Sequence, residues 1–193
     1  MKHLRSLFCL LLVLPLLAAC ETEVPARKFP DISFANEPPI NLDVASIQVD
    51  NKPAPPSGKG SIVYDLPVTP SSVAEKWAQE RLKAVGRSGT AIVHIEKASV
   101  VEEKLKKTEG LRGLFTTDQT ERYTGEMAIS ISLSADRGQA MARADAKASR
   151  TVAEDASLAD REKLWFDLVE HLSHEVDKVL DQEIHKHMAE YIR

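Results

Sequence analysis

The sequence predicts an α+β domain, with a mainly antiparallel sheet of about four strands and two helices packed on one of its faces. Three observations lead there. Segments between 40 and 149 repeat apolar residues at every second position, two other segments repeat them at three- and four-residue spacing, and one of the latter runs to residue 193 as a long helix. At 193 residues, 43% hydrophobic and 28% charged, the chain suits a single domain with a real core. A formal charge of −4 gives no bulk attraction to nucleic acid or to an anionic membrane.

The elements follow in chain order. Ile40, Leu42 and Val44 alternate and then slip phase to Ile47 and Val49, which predicts a first strand carrying a bulge. Residues 51–60, NKPAPPSGKG, are too rich in proline and glycine for a regular element. Thr69 then places a capping hydroxyl before Pro70 at the first helical position, and Val73, Ala74, Trp77, Ala78, Leu82 and Val85 continue one helical face up to Gly86. A second strand begins after Gly89 with Ala91, Val93 and Ile95 on one side, then changes phase to Ala98 and Val100. The third, Arg122 to Leu133, is the clearest. Tyr123, Met127, Ile129, Ile131 and Leu133 point one way, while Thr124, Glu126, Ser130 and Ser132 point the other, predicting one buried and one wet face.

Asp136-Arg137-Gly138 reads as a hairpin turn into a segment where propensity and periodicity disagree. Alanine at 140, 142, 144, 146 and 148 favours helix intrinsically. A helix would spread these alanines around its circumference, whereas a strand gathers them on one face, so periodicity predicts a strand that a helix can approach unusually closely. The last element starts at the cap-like pair Ser157 and Asp160 and keeps helical spacing through Leu158, Leu164, Trp165, Leu168, Leu172, Val176, Val179, Leu180, Ile184, Met188 and Tyr191. About 35 residues of unbroken helix would span roughly 50 Å, longer than a small sheet needs, so its end projects or bends.

Residues 1–20 have a charged start (Lys2, His3, Arg5) and an apolar run from Leu7 to Ala19. That run is well short of the roughly 20 residues a membrane-spanning helix requires and has the form of a secretory signal. Leu17-Ala18-Ala19-Cys20 resembles the lipobox of bacterial lipoproteins. The resemblance implies that residues 1–19 are a signal peptide removed before Cys20, and that Cys20 carries acyl chains, palmitate among them, on its thiol and its new amino group. Each buried methylene adds about 0.8 kcal/mol, so several chains anchor stably where one would not. The organisation read from the sequence is therefore a signal peptide at 1–19, a lipid anchor and tether at 20–38, and one α+β domain at 39–193. Eleven extended tether residues, Glu21 to Asp31, would hold the domain up to about 35 Å from the lipid. Losing Lys2 and Arg5 takes the formal charge from −4 to −6. Of the two cysteines, Cys9 leaves and Cys20 is acylated, so neither a disulfide nor a thiolate site is expected. Glu21 after the anchor favours the outer membrane, facing the periplasm, by the rule of enteric bacteria; the inner membrane stays open.

Motifs for chemistry are sparse. Glu170, His171, His174 and Glu175 offer pairs at i and i+4, but Lys178 stands where HExxH needs its second histidine, and all four lie opposite the Trp165/Leu168/Leu172 stripe. The sequence has no GxSxG and no GxGxxG, and Gly86-Arg87-Ser88-Gly89 reads as a helix stop. The reading is of a protein that is not an enzyme and uses no cofactor, metal or nucleic acid. The stretch most suggestive of function is Lys104 to Thr120, KLKKTEGLRGLFTTDQT, in which Lys106, Lys107, Leu111, Arg112, Leu114 and Phe115 form a candidate binding loop. Its apolar and basic residues either touch lipid headgroups, a glycolipid or another envelope protein, or fold back over the sheet edge.

Lys76-Trp77-Ala78, Arg81 to Gly89 (RLKAVGRSG), Lys107 to Asp118 (KTEGLRGLFTTD) and Ser149 to Trp165 together resemble an uncharacterised family of alphaproteobacterial lipoproteins. The order strand, helix, three strands, long helix is similar to the lipoprotein plug of the lipopolysaccharide translocon and, more loosely, to auxiliary lipoproteins of lipid-trafficking ABC transporters. The resemblance implies a non-enzymatic accessory or binding component of an envelope assembly or lipid-transport complex, with membrane lipid and an envelope protein as partners. The residues themselves leave two alternatives: a structural lipoprotein self-associating through its long helix, or an enzyme whose Glu and His residues converge only in three dimensions.

Overall fold

The computed structural model describes residues 28–55, 60–106 and 119–193. In chain order the elements are β1 (Ile40–Leu42), β2 (Ser46–Asn51), α1 (Pro70–Arg81), β3 (Leu82–Ala84), β4 (Thr90–Lys104), β5 (Gln119–Ala135), β6 (Gly138–Ala153) and α2 (Leu158–His187), with a 3-10 turn at Ala189–Tyr191. The class is α+β, with two helices and a four-stranded sheet in the order β2-β4-β5-β6. Two of its three pairings are antiparallel, as expected, and the third makes the sheet mixed: β4, β5 and β6 alternate in direction, but β2 runs parallel to β4. The reason lies in the connection, because the chain between β2 and β4 passes through α1, and a crossover helix permits parallel pairing.

The local reading holds for the long strands. The phase change in β4 is a register shift between Ile95 and Lys97, so Ala91, Val93, Ile95, Ala98 and Val100 all face inward. Periodicity also prevails over propensity in β6, where Ala142 and Ala144 are buried and Ala140, Ala146 and Ala148 pack against the core. Its hairpin with β5 closes at Ala135 and Gly138, the latter at φ +131°, a conformation L side chains rarely adopt.

Two expectations fail near the start of the domain. The slip between Val44 and Ile47 is not a bulge but a break: β1 pairs with β3 in a separate two-stranded parallel sheet, and β2 joins the main sheet. The helix expected to reach Gly86 ends at Arg81, since Leu82 is already extended (φ −104°, ψ 134°) and starts β3. The chain then passes the β1–β2 corner so closely that a Cβ on Gly86 would lie 2.5 Å from the backbone of Asp43 and Val44. Val85, placed on the buried helical face by spacing, is exposed.

Helix α2 packs across β5 and β6, α1 packs against β4, and the helices touch each other. Both start at the predicted caps: Thr69 Oγ1 accepts from Ser72 N, and Ser157 and Asp160 form a reciprocal capping box. The end of α2 bends instead of projecting. Met188 and Tyr191 are buried, Asp43 N donates to the Tyr191 carbonyl (2.7 Å) and Arg193 N to that of Asn41 (3.0 Å), so the last residues close over β1. Packing also begins before residue 39. Phe29 stacks on Phe166 at 5.1 Å, Ile32 and Phe34 are buried, and Glu80 accepts from Phe34 N (2.6 Å), which lays part of the expected tether across the helices.

One buried cation joins these layers. Arg81 donates through Nε to Asp177 (2.7 Å), through Nη2 to Asp181 (2.7 Å) and through Nη1 to the Pro38 carbonyl, while Trp77 Nε1 also donates to Asp177 (2.7 Å). A guanidinium taken from water is tolerable only with its donors matched in this way.

The alanine face of β6 sets how closely α2 can lie, which makes it testable. Ala144→Leu is expected to cost about 2 kcal/mol, read as a lower urea midpoint at unchanged slope, whereas Met141→Leu on the outer face of the same strand should stay within about 0.5 kcal/mol.

Candidate functional site

Because both helices sit on one face of the sheet, the other face has no helix over it among the described residues. Strand parity places Ile92, His94, Lys97, Ser99 and Val101 of β4 there, beside Ser134, Ser132, Ser130, Ala128, Glu126 and Thr124 of β5 and Met141, Arg143, Asp145 and Lys147 of β6. The central strand is short-chained and the flanking strands are long-chained, so the long ones reach over the middle. Arg143 pairs with Glu96 from the far side of β5, and Glu96 in turn accepts from Ser130 Oγ (2.6 Å). One step further along, Glu126 takes Lys147 at 2.6 Å and Lys97 at 3.4 Å. These two straps bury Ala128 and Ser130, although both point away from the core. The expectation of a wholly wet outer face is corrected to that extent.

Beyond the straps the face opens at both ends. One hollow, about 400 Å³, is lined by Thr90, Ile92, Ser132, Ser134, Gln139 and Met141 among others, and has an apolar side. The opposite one, about 430 Å³, is lined by Ser99, Val101, Glu102, Glu103, Thr124, Glu126 and Lys147. The second lies at the base of the candidate loop. Leu105 N donates to the Thr120 carbonyl (2.7 Å), extending the β4–β5 ladder past Lys104 and Glu121 and leaving Lys106 exposed at the sheet end. Lys107, Leu111, Arg112, Leu114 and Phe115 lie outside the described residues, as does Cys20.

The same end carries a second polar group on the helix side of the sheet. Tyr123 donates its hydroxyl to Glu121 (2.6 Å), Arg161 of α2 pairs with Glu121, and Trp165 stands edge-on to Tyr123 at 5.5 Å. Burial first, and then the bond to Glu121, pushes the Tyr123 phenol well above its ordinary range, so it stays a hydrogen-bond donor. A hollow of about 350 Å³ lined by Lys104, Leu105, Thr120, Glu121, Glu154 and Arg161 opens beside them. The sheet end thus interleaves carboxylates with cations on both of its faces. Such a surface suits recognition of polar or paired-charge groups.

The histidine cluster separates. His171, His174 and Glu175 are exposed on α2, with His174 edge-on to Phe34 at 5.5 Å, and no set of three possible ligands gathers among the described residues. His94 lies 3.6 Å from Asp50, and His187 3.1 Å from Glu183 one helical turn away. Sequence reasoning missed Glu96, Glu126, Arg143 and Lys147. Their signal is opposite charge brought within reach across three strands, Glu126 facing Lys147 and Glu96 reached by Arg143 over β5, which only appears once the pairing of those strands is known.

No protein-family model and no curated protein matches the chain. Among solved structures it is similar to the rare lipoprotein B of Shewanella oneidensis, at 11% identity over 75% of this chain and 94% of that one, with a TM-score of 0.37. It is also similar to a minor lipoprotein of Acinetobacter baumannii, at 8% identity over 78% and 96% of the two chains, with a TM-score of 0.33.

Glu126, in one strap, and Asp145, paired with Arg143 on β6, have a pH signature. The bond from Lys147 holds the Glu126 carboxyl below its ordinary range, and the bond from Arg143 does the same for Asp145. A carboxyl depressed by folding stabilises the fold at pH above its unfolded value, and that contribution is lost as pH falls through the folded value. Thermal midpoints should therefore hold level between about pH 6 and 8 as far as these groups are concerned, and drop below about pH 4. Glu126→Gln should lower stability at pH 7 by less than about 1 kcal/mol, given its exposed partners, and make the acid drop shallower.

Proposed function

We propose that the chain is a lipid-anchored envelope lipoprotein, held through Cys20 in the outer membrane and facing the periplasm, that serves as a non-enzymatic binding component of an envelope assembly or lipid-transport complex. The observation that carries this reading is the short apolar run ending in Leu17-Ala18-Ala19-Cys20 ahead of a domain whose sheet end interleaves opposite charges. Recognition falls to the segment that this end presents, with Lys106 at its base and Lys107, Leu111, Arg112, Leu114 and Phe115 along it. A basic and apolar segment can combine charge attraction with insertion of apolar side chains, the combination that lipid headgroups, glycolipids and envelope proteins reward.

Two variants in intact cells test the two halves. Cys20→Ser should accumulate the uncleaved precursor and lose incorporation of a labelled palmitate analogue. Leu114→Ser with Phe115→Ser should keep the wild-type circular dichroism spectrum and lose the proteins that crosslink to the chain in the envelope. Continued acylation of the first variant, or an unchanged crosslinked set in the second, contradicts the corresponding half.

A further inference from the structure

The two edges of the main sheet are finished differently. On the β4 side, β2 covers Thr90 to Ile95, and irregular chain covers part of the rest. Ala54 N donates to the Glu96 carbonyl (2.8 Å), Ile62 N to that of Val100 (3.1 Å), and Glu102 N to that of Gly60 (2.8 Å), with Pro53 and Pro55 beside the end of β2. On the other side β6 runs for 16 residues without a proline, and among the described residues no backbone group outside the sheet bonds to it except Ala156 N, which donates to the carbonyl of its last residue, Ala153 (3.2 Å). Long bare edges are templates for another strand, and folds that must avoid pairing blunt them with devices of the kind seen on the β4 side.

We infer that β6 pairs antiparallel with the β6 of a second copy of this chain, about a two-fold axis, to make one continuous eight-stranded sheet. The choice of occupant comes from the order of charge on the strand. The outer-face residues read Gln139, Met141, Arg143, Asp145, Lys147 and Ser149. With the axis through Ala144, Arg143 faces Asp145 of the second copy and the reverse, Met141 lies along the methylenes of Lys147, and Gln139 faces Ser149. With the axis through Ala146, Asp145 faces Lys147 twice. With the axis through Asp145, like charges meet at three positions in a row, so the strand rejects that register. The inner face meanwhile offers only alanine from 140 to 148, leaving no long side chain in the way of an approaching strand. Roughly a dozen backbone hydrogen bonds would form along the seam. Closed two-fold symmetry uses up the β6 edge of both copies and leaves only the six-residue outer edge of β2 on each, so pairing through β6 stops at two copies.

Sedimentation equilibrium of the full chain in a density-matched non-ionic detergent tests this. The wild type should be a dimer, and Asp145→Arg should weaken association by about tenfold or more, because both candidate registers then set cation against cation. Arg143→Asp with Asp145→Arg should restore the dimer if the axis passes through Ala144. Asp145→Arg with Lys147→Asp should do so if it passes through Ala146. These side chains are exposed, and circular dichroism should show each variant folded. A wild type that is monomeric at every accessible concentration overturns the inference. So does an Asp145→Arg variant that associates as the wild type does, or a failure of both charge exchanges to restore pairing.

Discussion

Leu172 of α2 sits directly over Gly125 of β5, where an added Cβ would come within 2.5 Å of its Cδ1 and within 3.4 Å of Leu168. Next to that glycine runs the alanine face of β6, so this part of the floor carries little beyond methyl groups. Trp165, Leu168, Leu172, Val176 and Leu180 supply bulk from the helix, each contributing about 1.5–3 kcal/mol by leaving water, and Tyr123, Met127, Ile129, Ile131 and Leu133 supply it from β5. Everything on the helix side depends on this close approach. With α2 seated low, α1 can reach it through Trp77 and Arg81, the chain from Phe29 to Phe34 can lie across both helices, and the residues after α2 can turn back onto β1.

The cost of stacking both helices on one face is that the other is left to side chains. Arg143 of β6 reaches across β5 to Glu96 of β4, Lys97 and Lys147 reach in from either side to Glu126 of β5, and together they shield Ala128 and Ser130. Ion pairs this exposed add little to stability. Their effect is on shape, because they close the middle of the face and leave hollows at its ends. The hollow at the Lys106 end lies where β4 ends and β5 begins, across the sheet from the Glu121, Tyr123 and Arg161 cluster. A recognition segment would be presented there from a stiff, charged base, at the end of two long paired strands.

Much of this was legible before any coordinates. The strands β4, β5 and β6 and both helix starts follow from periods of two and of three to four, and the alanine repeat was readable as strand because only a strand puts alternate residues on one side. What escaped was short or relational. Leu82, Lys83 and Ala84 continue the helical spacing of α1, and nothing local says that they must turn extended to lie beside Ile40 to Leu42, since a three-residue parallel pairing leaves no period to read. The break after Leu42 resembled a bulge for the same reason. At the sheet end, the length of the β4–β5 connection was visible, but the straps that frame it were not, because Glu96, Glu126, Arg143 and Lys147 become partners only through the register of three strands.

The most direct test of the seating of α2 is a double-mutant cycle at its closest point. Gly125→Ala, Leu172→Ala and the double variant are compared by urea unfolding. Gly125→Ala alone should destabilise by about 1 kcal/mol or more, because its methyl group meets Leu172, but should be neutral or stabilising once Leu172 is truncated, since alanine suits a strand better than glycine. The coupling should reach about 1–2 kcal/mol. Additive costs in the cycle, with Gly125→Ala equally harmful in both backgrounds, would contradict the close contact on which the fold rests.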